Sequence, residues 1–394
     1  MRHDIICGDV LDGLRSLPEC SVQCVVTSPP YWGLRDYGMP GQIGLEPTPE
    51  EYVEKMVEVF HEVRRVLRDD GVAWVNYGDC YASSGRKDEN GCSNRSEFPE
   101  MPGRSPSGTL KPKDLVGMPW RIAFALQADG WYLRSDIIWS KPNPMPESVT
   151  DRPTKSHEYV FLLTKSSRYF YDADAVREEH KQESLARVEQ GWHCDRLNQG
   201  NSLARGEPSA ISVSKMGDKW CNPTGRNRRT VWEIATQPTP EAHFATFPEA
   251  LVEPCIKAGT SERGCCPECG APWRRIVESG GGTTGASWHD HSDDLGRGQI
   301  APPSATFKDY YRRSVGWRPT CTCDIAETVP CVVLDPFGGS GTVAKVARDL
   351  GRSSILIELN PEYVEIAKKR LRIGEQLDTG VCEYIVRTVL TEAA

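Results

Sequence analysis

Short apolar runs alternate with helical patterns along residues 4 to about 175, and the same alternation returns after residue 331. Such a pattern is typical of a parallel sheet flanked by helices. The clearest helix begins at Thr48-Pro49-Glu50-Glu51, where an N-cap, a proline and a capping-box acid precede apolar residues at helical spacing. We expect Asp70-Gly71 to end this helix and a strand to follow over residues 72–76.

The C-terminal part predicts a strand–loop–helix–strand unit of the kind that binds nucleotides. Residues 331–334 form the first predicted strand, and a glycine-rich loop leads into a helix from about Thr342 to Leu350. A second strand over residues 355–358 is followed by a helix capped by Asn360. Further strands are predicted over residues 4–7, 24–27, 131–139 and 158–164.

Three polar stretches interrupt this pattern, over residues 82–112, 177–230 and 279–308. The first is too long for an ordinary connection in a compact domain, so it is either a functional loop or disordered. The second is either an insertion that carries binding contacts or a surface excursion. The third lies between two close pairs of cysteines.

The composition is that of a soluble globular protein with one large core and an accessory region. Of 394 residues, 38% are hydrophobic and 26% are charged. No run approaches the roughly 18 apolar residues that a membrane helix needs, and the N-terminus shows no signal-peptide pattern. We therefore expect an intracellular, cytoplasmic protein without a membrane partner.

The formal net charge of −8 argues weakly against nonspecific binding of nucleic acid, since Lys and Arg supply that affinity. The charge is unevenly distributed, however. Residues 201–230 carry a local charge of +4, because six basic residues face only Glu207 and Asp218. This segment is either a basic patch for nucleic acid or a solvated loop. Its basic residues are Arg205, Lys215, Lys219, Arg226, Arg228 and Arg229.

The glycine loop Asp335-Pro336-Phe337-Gly338-Gly339-Ser340-Gly341-Thr342 follows a predicted strand, so its backbone can approach a ligand closely. Glu358 lies 23 residues after Asp335, near the spacing of about 20 at which an acid takes the ribose hydroxyls of a nucleotide. The loop lacks the Lys of a phosphate-gripping P-loop. A nucleoside without phosphates therefore fits it better than ATP.

The segment Ser28-Pro29-Pro30-Tyr31 also follows a predicted strand, at the carboxyl edge where open α/β sheets bind ligands. The Ser28 hydroxyl and the Pro29 carbonyl can accept both protons of an aromatic amino group and so direct its lone pair toward a methyl donor. Tyr31 can stack on a base that has left the helix. Direct transfer then requires alignment more than acid–base help. The alternative is a simple turn or a polyproline ligand.

Together these motifs resemble the β-class, amino-directed DNA methyltransferases, over about residues 1–175 and 231–375. In the subclass concerned, the catalytic motif precedes the cofactor loop. Three more segments are similar to the family: Cys7-Gly8-Asp9, the strand Ile138–Pro144 beside the active site, and His243–Glu249, which closes over the methionine end of the cofactor.

The resemblance implies a Rossmann-like, circularly permuted α/β sheet that uses S-adenosylmethionine on flipped bases of double-stranded DNA. It implies that Ser28, Pro29, Pro30 and Tyr31 present the amino group. It also implies that the cofactor is held by Asp9, Phe247, Asp335, Phe337, Gly338, Gly339, Gly341, Thr342, Glu358 and Asn360. The implied organisation is a catalytic half over residues 1–175, a target-recognition insertion over 176–230, a cofactor-closing segment over 231–261, a zinc-ribbon-like insertion over 262–330 and a cofactor-binding half over 331–394.

The residue at position 28 bears on the choice of target base. Serine there is more typical of cytosine-N4 enzymes of this family, whereas adenine-N6 enzymes more often carry Asp or Asn. The resemblance thus favours cytosine N4, with adenine N6 as the alternative. Hydrogen bonding does not decide between the two bases, because either side chain can accept the bond.

Most of the 15 cysteines are dispersed, but two close pairs, Cys266/Cys269 and Cys321/Cys323, suit a tetrahedral structural zinc. The Cys-x-Cys spacing of the second pair departs from the commoner one, and Cys265 could replace Cys266. Unligated cysteines are the alternative. We hypothesise that the metal folds this insertion and presents nearby side chains to DNA, namely Trp273, Arg274, Arg275, Arg312 and Arg313.

Three rival functions stay open at this stage. A protein glutamine methyltransferase also uses a Pro-Pro-Tyr clamp, although its cofactor loop usually comes first. A catalytically silent zinc-ribbon DNA-binding protein would not need Ser28, Tyr31 and Glu358, and RNA is a further substrate for a base-flipping clamp. The sequence leaves open the recognition site, a homodimeric state, and whether a cognate restriction enzyme accompanies this prokaryotic or virus-encoded protein.

Overall fold

The computed structural model describes residues 1–82, 110–183, 224–237, 247–280, 311–373 and 382–389. Nine strands of this part form one sheet. They are β1 (Arg2–Cys7), β2 (Val22–Thr27), β3 (Leu67–Tyr77), β4 (Tyr132–Ser140), β5 (His157–Thr164), β6 (Val231–Glu233), β9 (Val332–Asp335), β10 (Ser353–Glu358) and β11 (Glu383–Thr388). Two further strands, β7 (Arg274–Gly280) and β8 (Tyr311–Arg318), pair with each other.

The helices of the described residues are α1 (Val10–Arg15), α2 (Pro49–Val66), α3 (Met118–Ala128), α4 (Glu249–Gly259), α5 (Thr342–Asp349) and α6 (Pro361–Arg370). One face of α2 is buried through Tyr52, Met56, Phe60 and Val63, which belong to the largest apolar cluster. Within the described ranges, no helix is both long and apolar enough to cross a membrane.

The strand order of the sheet is β11-β1-β10-β9-β2-β3-β5-β4-β6. Every pairing is parallel except those of β5, which runs antiparallel to both β3 and β4. Strands β9 and β10, from the end of the chain, therefore lie between β1 and β2, from its beginning. This arrangement confirms the predicted α/β sheet and its permuted order. It also brings the carboxyl ends of the parallel strands to one edge.

The start of helix α2 confirms the capping prediction, but its predicted end is wrong. The Thr48 hydroxyl accepts a hydrogen bond of 3.2 Å from the Glu51 amide. The helix stops at Val66, and β3 already begins at Leu67, which pairs with Val22. Because the Leu67 side chain is fully buried, packing outweighs the local turn signal of Asp70-Gly71. The extra residues are accommodated as an irregularity before regular pairing resumes.

The other predicted elements that fall on described residues are confirmed to within about two residues at each end. These are β1, β2, β4, β5, β9, α5, β10 and α6. Several predictions lie outside the described residues: positions 83–109 of the first polar stretch, 184–223 of the second and 281–308 of the third. Most of the basic segment 201–230 is among them.

The described chain divides into two compact units. The first comprises residues 1–172, 229–273 and 319–394 and contains the nine-stranded sheet and both cysteine pairs. The second comprises residues 173–228 and 274–318. Within it, the Arg312 guanidinium of β8 donates a hydrogen bond of 2.9 Å to the Asp174 carboxylate. The zinc-ribbon-like insertion itself stays a prediction.

Candidate active site

The two sequence motifs meet at one edge of the sheet, because they follow neighbouring parallel strands. Val25 of β2 pairs with Leu334 of β9, and the two strands end two and one residues later, respectively. A cavity of about 310 Å³ opens between the segments that follow these ends. Twelve of the fourteen residues predicted to bind cofactor or target line it: Asp9, Ser28, Pro29, Pro30, Tyr31, Phe247, Phe337, Gly338, Gly339, Thr342, Glu358 and Asn360.

The two predicted residues that do not line the cavity shape the glycine loop beneath it. Asp335 is buried, and its Oδ1 accepts hydrogen bonds from Thr27 Oγ1 and the Phe337 amide. Burial raises the pKa of Asp335 to about 7, although these two hydrogen bonds oppose the rise. Gly341 has a φ of +78° immediately before α5, a conformation that other residues rarely adopt.

The loop approaches the next strand so closely that only glycine fits at position 338. A Cβ there would lie 2.2 Å from side-chain atoms of Leu356 in β10. The amide of Gly338 donates to the Ile357 carbonyl at 2.8 Å, which fixes the loop against the end of β10. The loop therefore reaches the cavity through backbone rather than side chains.

Glu358, at the end of β10, is held by backbone amides on both carboxylate oxygens. Oε2 accepts from the Gly339 amide at 2.7 Å, and Oε1 accepts from the Asn360 amide at 2.8 Å. Burial raises the pKa of Glu358, against the effect of these amides. Each oxygen retains a lone pair that can take a hydroxyl group of a ligand. Across the cavity, Asp9 Oδ1 caps helix α1 by accepting from the Leu11 amide at 2.8 Å.

The segment Ser28–Tyr31 contributes a chain of hydroxyl groups that ends on a carboxylate. The Ser28 hydroxyl donates to Tyr31 OH at 3.3 Å, and Tyr31 OH donates to Glu158 Oε2 at 2.8 Å. Lys141 forms an ion pair with the other oxygen, Oε1, at 2.5 Å, and its ammonium lies 4.3 Å from the Trp139 ring centre. Burial alone would raise the pKa of Glu158, but Lys141, Asn76 and Tyr31 lower it below its usual value.

The Tyr31 ring also packs against another aromatic ring. It stacks on Tyr77 with the ring centres 5.8 Å apart. Tyr52 OH donates to the Pro30 carbonyl at 2.6 Å and contacts Tyr77 OH at 3.1 Å. Among the described residues, by contrast, the Pro29 carbonyl accepts no hydrogen bond. It therefore has lone pairs available for a ligand.

Sequence reasoning missed two residues of this site, Asn76 and Glu158. Asn76 stands near the end of β3, and its Nδ2 lies 2.9 Å from both Tyr31 OH and Glu158 Oε2. The signal for Asn76 was its place near the carboxyl end of a predicted strand. Glu158 stands at the beginning of β5 and reaches the same edge only because β5 is antiparallel. Of the segment His243–Glu249, residues 243–246 lie outside the described ranges.

The predicted cysteine ligands come together away from this cavity. The Sγ atoms of Cys266, Cys269, Cys321 and Cys323 all lie within 4.8 Å of one another. A tetrahedral zinc with Zn–S bonds of about 2.3 Å requires sulfur atoms about 3.8 Å apart, so the four fit this metal. Cys265 is not part of the group, because its thiol points toward the Val329 carbonyl at 3.5 Å.

The first cysteine pair is fixed to the sheet. The Gly270 amide donates to the Cys266 carbonyl at 2.9 Å, which closes a tight turn. Gln23 of β2 donates to the Gly270 carbonyl at 3.1 Å and accepts from the Val332 amide at 2.7 Å. Backbone amides of Cys269 and Glu268 lower the pKa of Cys266 to about 7. The turn therefore favours a thiolate at one of the four sulfur atoms.

Known proteins resemble the chain over most of its length. A model of the DNA methylase family, the N6/N4 methyltransferases, matches residues 22–266 and 331–369. The Type II methyltransferase M.Cfr9I of Citrobacter freundii is 41% identical over 95% of this chain and 88% of its own. M.SfiI of Streptomyces fimbriatus is 46% identical over 91% and 88%. The PvuII DNA methyltransferase (cytosine-N4-specific) shares the fold, with a TM-score of 0.50 and 17% identity over 96% of this chain and 88% of that one.

Proposed function

Because the chain belongs to the DNA methylase family of N6/N4 methyltransferases, we propose that it methylates the N4 amino group of cytosine in double-stranded DNA. As a member of this family it is a DNA methyltransferase that uses S-adenosylmethionine. The finer proposal is the base and its extrusion from the helix, without which the amino group cannot be reached. One observation supports transfer to an amino group above all: the segment Ser28–Tyr31 and the glycine loop line one cavity.

The acceptors of the site match an amino group. An exocyclic amine donates two hydrogen bonds, and its lone pair becomes available to a methyl donor when both protons are held. The Ser28 oxygen and the unused Pro29 carbonyl provide two such acceptors. Since alignment is the main requirement of direct transfer, a rigidly held acceptor pair can supply much of the rate enhancement.

The glycine-loop side of the cavity suits a nucleoside sulfonium. Glu358 offers a lone pair on each oxygen to the ribose hydroxyls, while the loop backbone and Phe247 border the remaining space. S-adenosylmethionine supplies an electrophilic methyl group on sulfur. The residues of this chain then orient the base toward it and exclude water.

The test is to incubate the protein with isotopically labelled S-adenosylmethionine and unmethylated DNA of mixed sequence, and to identify the labelled nucleoside by mass spectrometry. Label on cytosine N4 is expected. Label on adenine N6 would keep the mechanism and overturn the base. Label in no nucleoside, with cofactor still bound, would favour a protein substrate or a catalytically silent DNA-binding protein.

We also propose a structural zinc on Cys266, Cys269, Cys321 and Cys323. The convergence of their four sulfur atoms supports it. Since the two pairs are far apart in sequence, the metal would join residues 266–269 to the segment that leads into β9.

Target recognition is proposed for the second compact unit. On one face of the β7–β8 ribbon the side chains are exposed and mostly basic or apolar: Arg274, Ile276, Glu278, Tyr311, Arg313 and Arg318. A two-stranded ribbon can enter the major groove of DNA, and its arginines can neutralise phosphates. The Type II names of the relatives support a cognate restriction enzyme, whose cleavage the methylated sites would resist.

A further inference from the structure

We propose that Glu158 receives the proton that leaves the target amino group, through the hydroxyl groups of Tyr31 and Ser28. The inference rests on the proposed methyl transfer and adds a residue to it. Glu158 does not touch the base in this arrangement. It is a positioning residue that acts through a chain of three hydrogen-bonded groups.

The direction of every proton in the chain is determined by Glu158. An ionised carboxylate only accepts hydrogen bonds, so the Tyr31 hydroxyl must donate to it. The two lone pairs of Tyr31 OH then accept from Asn76 at 2.9 Å and from Ser28 at 3.3 Å. The hydrogen of Ser28 is thereby committed to Tyr31. Ser28 therefore presents a hydrogen-bond acceptor to the cavity, and an amino group requires such an acceptor.

The orientation of Asn76 supports the same direction. Its Nδ2 lies 2.9 Å from Glu158 Oε2 and 3.4 Å from Ser28 Oγ. Turning the amide over would bring an amide oxygen against the carboxylate oxygen, where neither can donate. In the present orientation, Asn76 Oδ1 is buried and has no partner among the described residues.

Lys141 keeps the carboxylate ionised despite its burial. The ion pair occupies Oε1, so Oε2 is left for Tyr31 and Asn76. Lys155, whose ammonium donates to the Asp79 carbonyl at 2.6 Å, is a second cation that interacts favourably with Glu158. The Glu158 side chain is 16% exposed, which allows a proton taken from the substrate to exchange with solvent.

The step balances as follows. The bond from the methyl carbon to sulfur breaks while the bond to the amino nitrogen forms, so the positive charge passes from sulfur to nitrogen. The nitrogen loses one proton to Ser28, the proton of Ser28 passes to Tyr31, and that of Tyr31 passes to Glu158. The products are a neutral thioether, a neutral methylated base and a neutral Glu158. Water then takes the proton from Glu158.

The first test compares single-turnover methylation by the wild type and Glu158→Gln. The amide has the size of the acid but cannot take the proton, so we expect a loss of about 10²-fold in rate with little change in cofactor affinity. Glu253→Gln is the matched control, since it removes the acid of an exposed Glu–Lys pair on α4. Tyr31→Phe interrupts the same chain and should lose a similar factor, and the double variant should lose no more than either one.

A structural role would not give the second readout. Glu158→Ala should lose activity, and added formate should raise the methylation rate of this variant at least tenfold, because formate can act as the missing proton acceptor beside Tyr31. Chloride at the same ionic strength should not. A Glu158→Gln rate within threefold of wild type overturns the proposal. The proposal is also overturned if formate does not restore the activity of Glu158→Ala and if the losses of Glu158→Gln and Tyr31→Phe add in the double variant.

Failure of the proposed function gives a different result. If the wild type labels no nucleoside while binding cofactor, the methyl transfer itself is refuted and the proton relay falls with it. If the wild type is active and only the Glu158 comparison fails, the relay alone is refuted. Transfer to adenine N6 instead of cytosine N4 leaves the relay in place, since that amino group also loses one proton. If Glu158→Gln fails to bind cofactor, the rate lost by Tyr31→Phe tests the proton relay instead.

Discussion

Thr27, the last residue of β2, donates a hydrogen bond of 2.8 Å to Asp335, the last residue of β9. Thr27 stands directly before the segment Ser28–Tyr31, Asp335 is the first residue of the glycine loop, and both are buried. Thr27→Val should remove the bond while keeping the side-chain shape, and leave the Asp335 carboxyl with one donor fewer. We expect a loss of about 1–3 kcal/mol in the free energy of unfolding, measured by urea denaturation. Thr27→Ser keeps the hydroxyl and should lose less; equal losses would contradict this account.

The raised pKa of Asp335 predicts a pH-dependent stability. Because its pKa rises from the ordinary value of 3.8 to about 7 on folding, its contribution to stability is complete below pH 3.8 and is lost as the pH rises through 7. Asp335→Asn has no charge to bury. Without cofactor, the variant should therefore gain in unfolding free energy relative to wild type between about pH 4 and 7, by about 4 kcal/mol at most. A difference that is constant with pH would contradict the raised pKa.

Glu358 predicts a specific loss of cofactor binding. In Glu358→Gln, the side-chain NH₂ group must face the backbone N–H of either Gly339 or Asn360. Both of these groups are donors, so one hydrogen bond is lost. We expect the Kd for S-adenosylmethionine to rise at least tenfold, which corresponds to about 1.4 kcal/mol. Glu362→Gln, exposed on α6, is the control and should bind normally. Calorimetric titration provides the measurement.

The cysteine cluster predicts which thiol matters for metal. Cys269→Ser should reduce bound zinc, measured by elemental analysis of the purified protein, and lower its thermal stability. Cys265→Ser should keep the metal, because Cys265 points toward Val329 rather than toward the other cysteines. If wild-type protein purified from a medium that contains zinc proves free of metal, the site is refuted.

The exposed ribbon face predicts a salt-dependent contribution to DNA binding. Replacing Arg274, Arg313 and Arg318 by Ala should weaken binding and reduce the slope of log affinity against log salt by about 1 for each lost phosphate contact. Cofactor affinity should not change. The control removes the same charge from three helices, through Lys55, Lys257 and Lys368. An equal effect in the control would indicate net charge rather than a ribbon contact.

Local motifs explain why much of the site could be predicted. Ser28 and Tyr31 follow a strand whose apolar run is visible in the sequence, and Glu358 ends another, so their place at the carboxyl edge needed no knowledge of the sheet order. Glu158 is different. It becomes a site residue only because β5 runs antiparallel to its neighbours, and the direction of a strand is not encoded in its hydrophobic pattern.

One wrong helix boundary and one alternative left open by the sequence have the same physical cause, namely contacts distant in sequence. The end of α2 was misplaced because Asp70-Gly71 is a strong local turn signal, whereas the burial of Leu67 against the sheet is not local. Cys265 and Cys266 are neighbours of identical chemistry. Cys265 pairs with Pro272 and Val329, and its thiol lies 3.5 Å from the Val329 carbonyl, away from the other cysteine pair.

The sheet order also has a consequence for how the chain folds. On the ribosome, β1 and β2 emerge early, but β10 and β9, which fill the space between them, are made some 300 residues later. Parallel pairings of such long range are slow to form, and until then the edge of β1 that pairs with β10 and the edge of β2 that pairs with β9 are unpaired. The C-terminal strands therefore complete the sheet of the N-terminal part from within, and an incompletely synthesised chain has neither a continuous sheet nor the cavity at its edge.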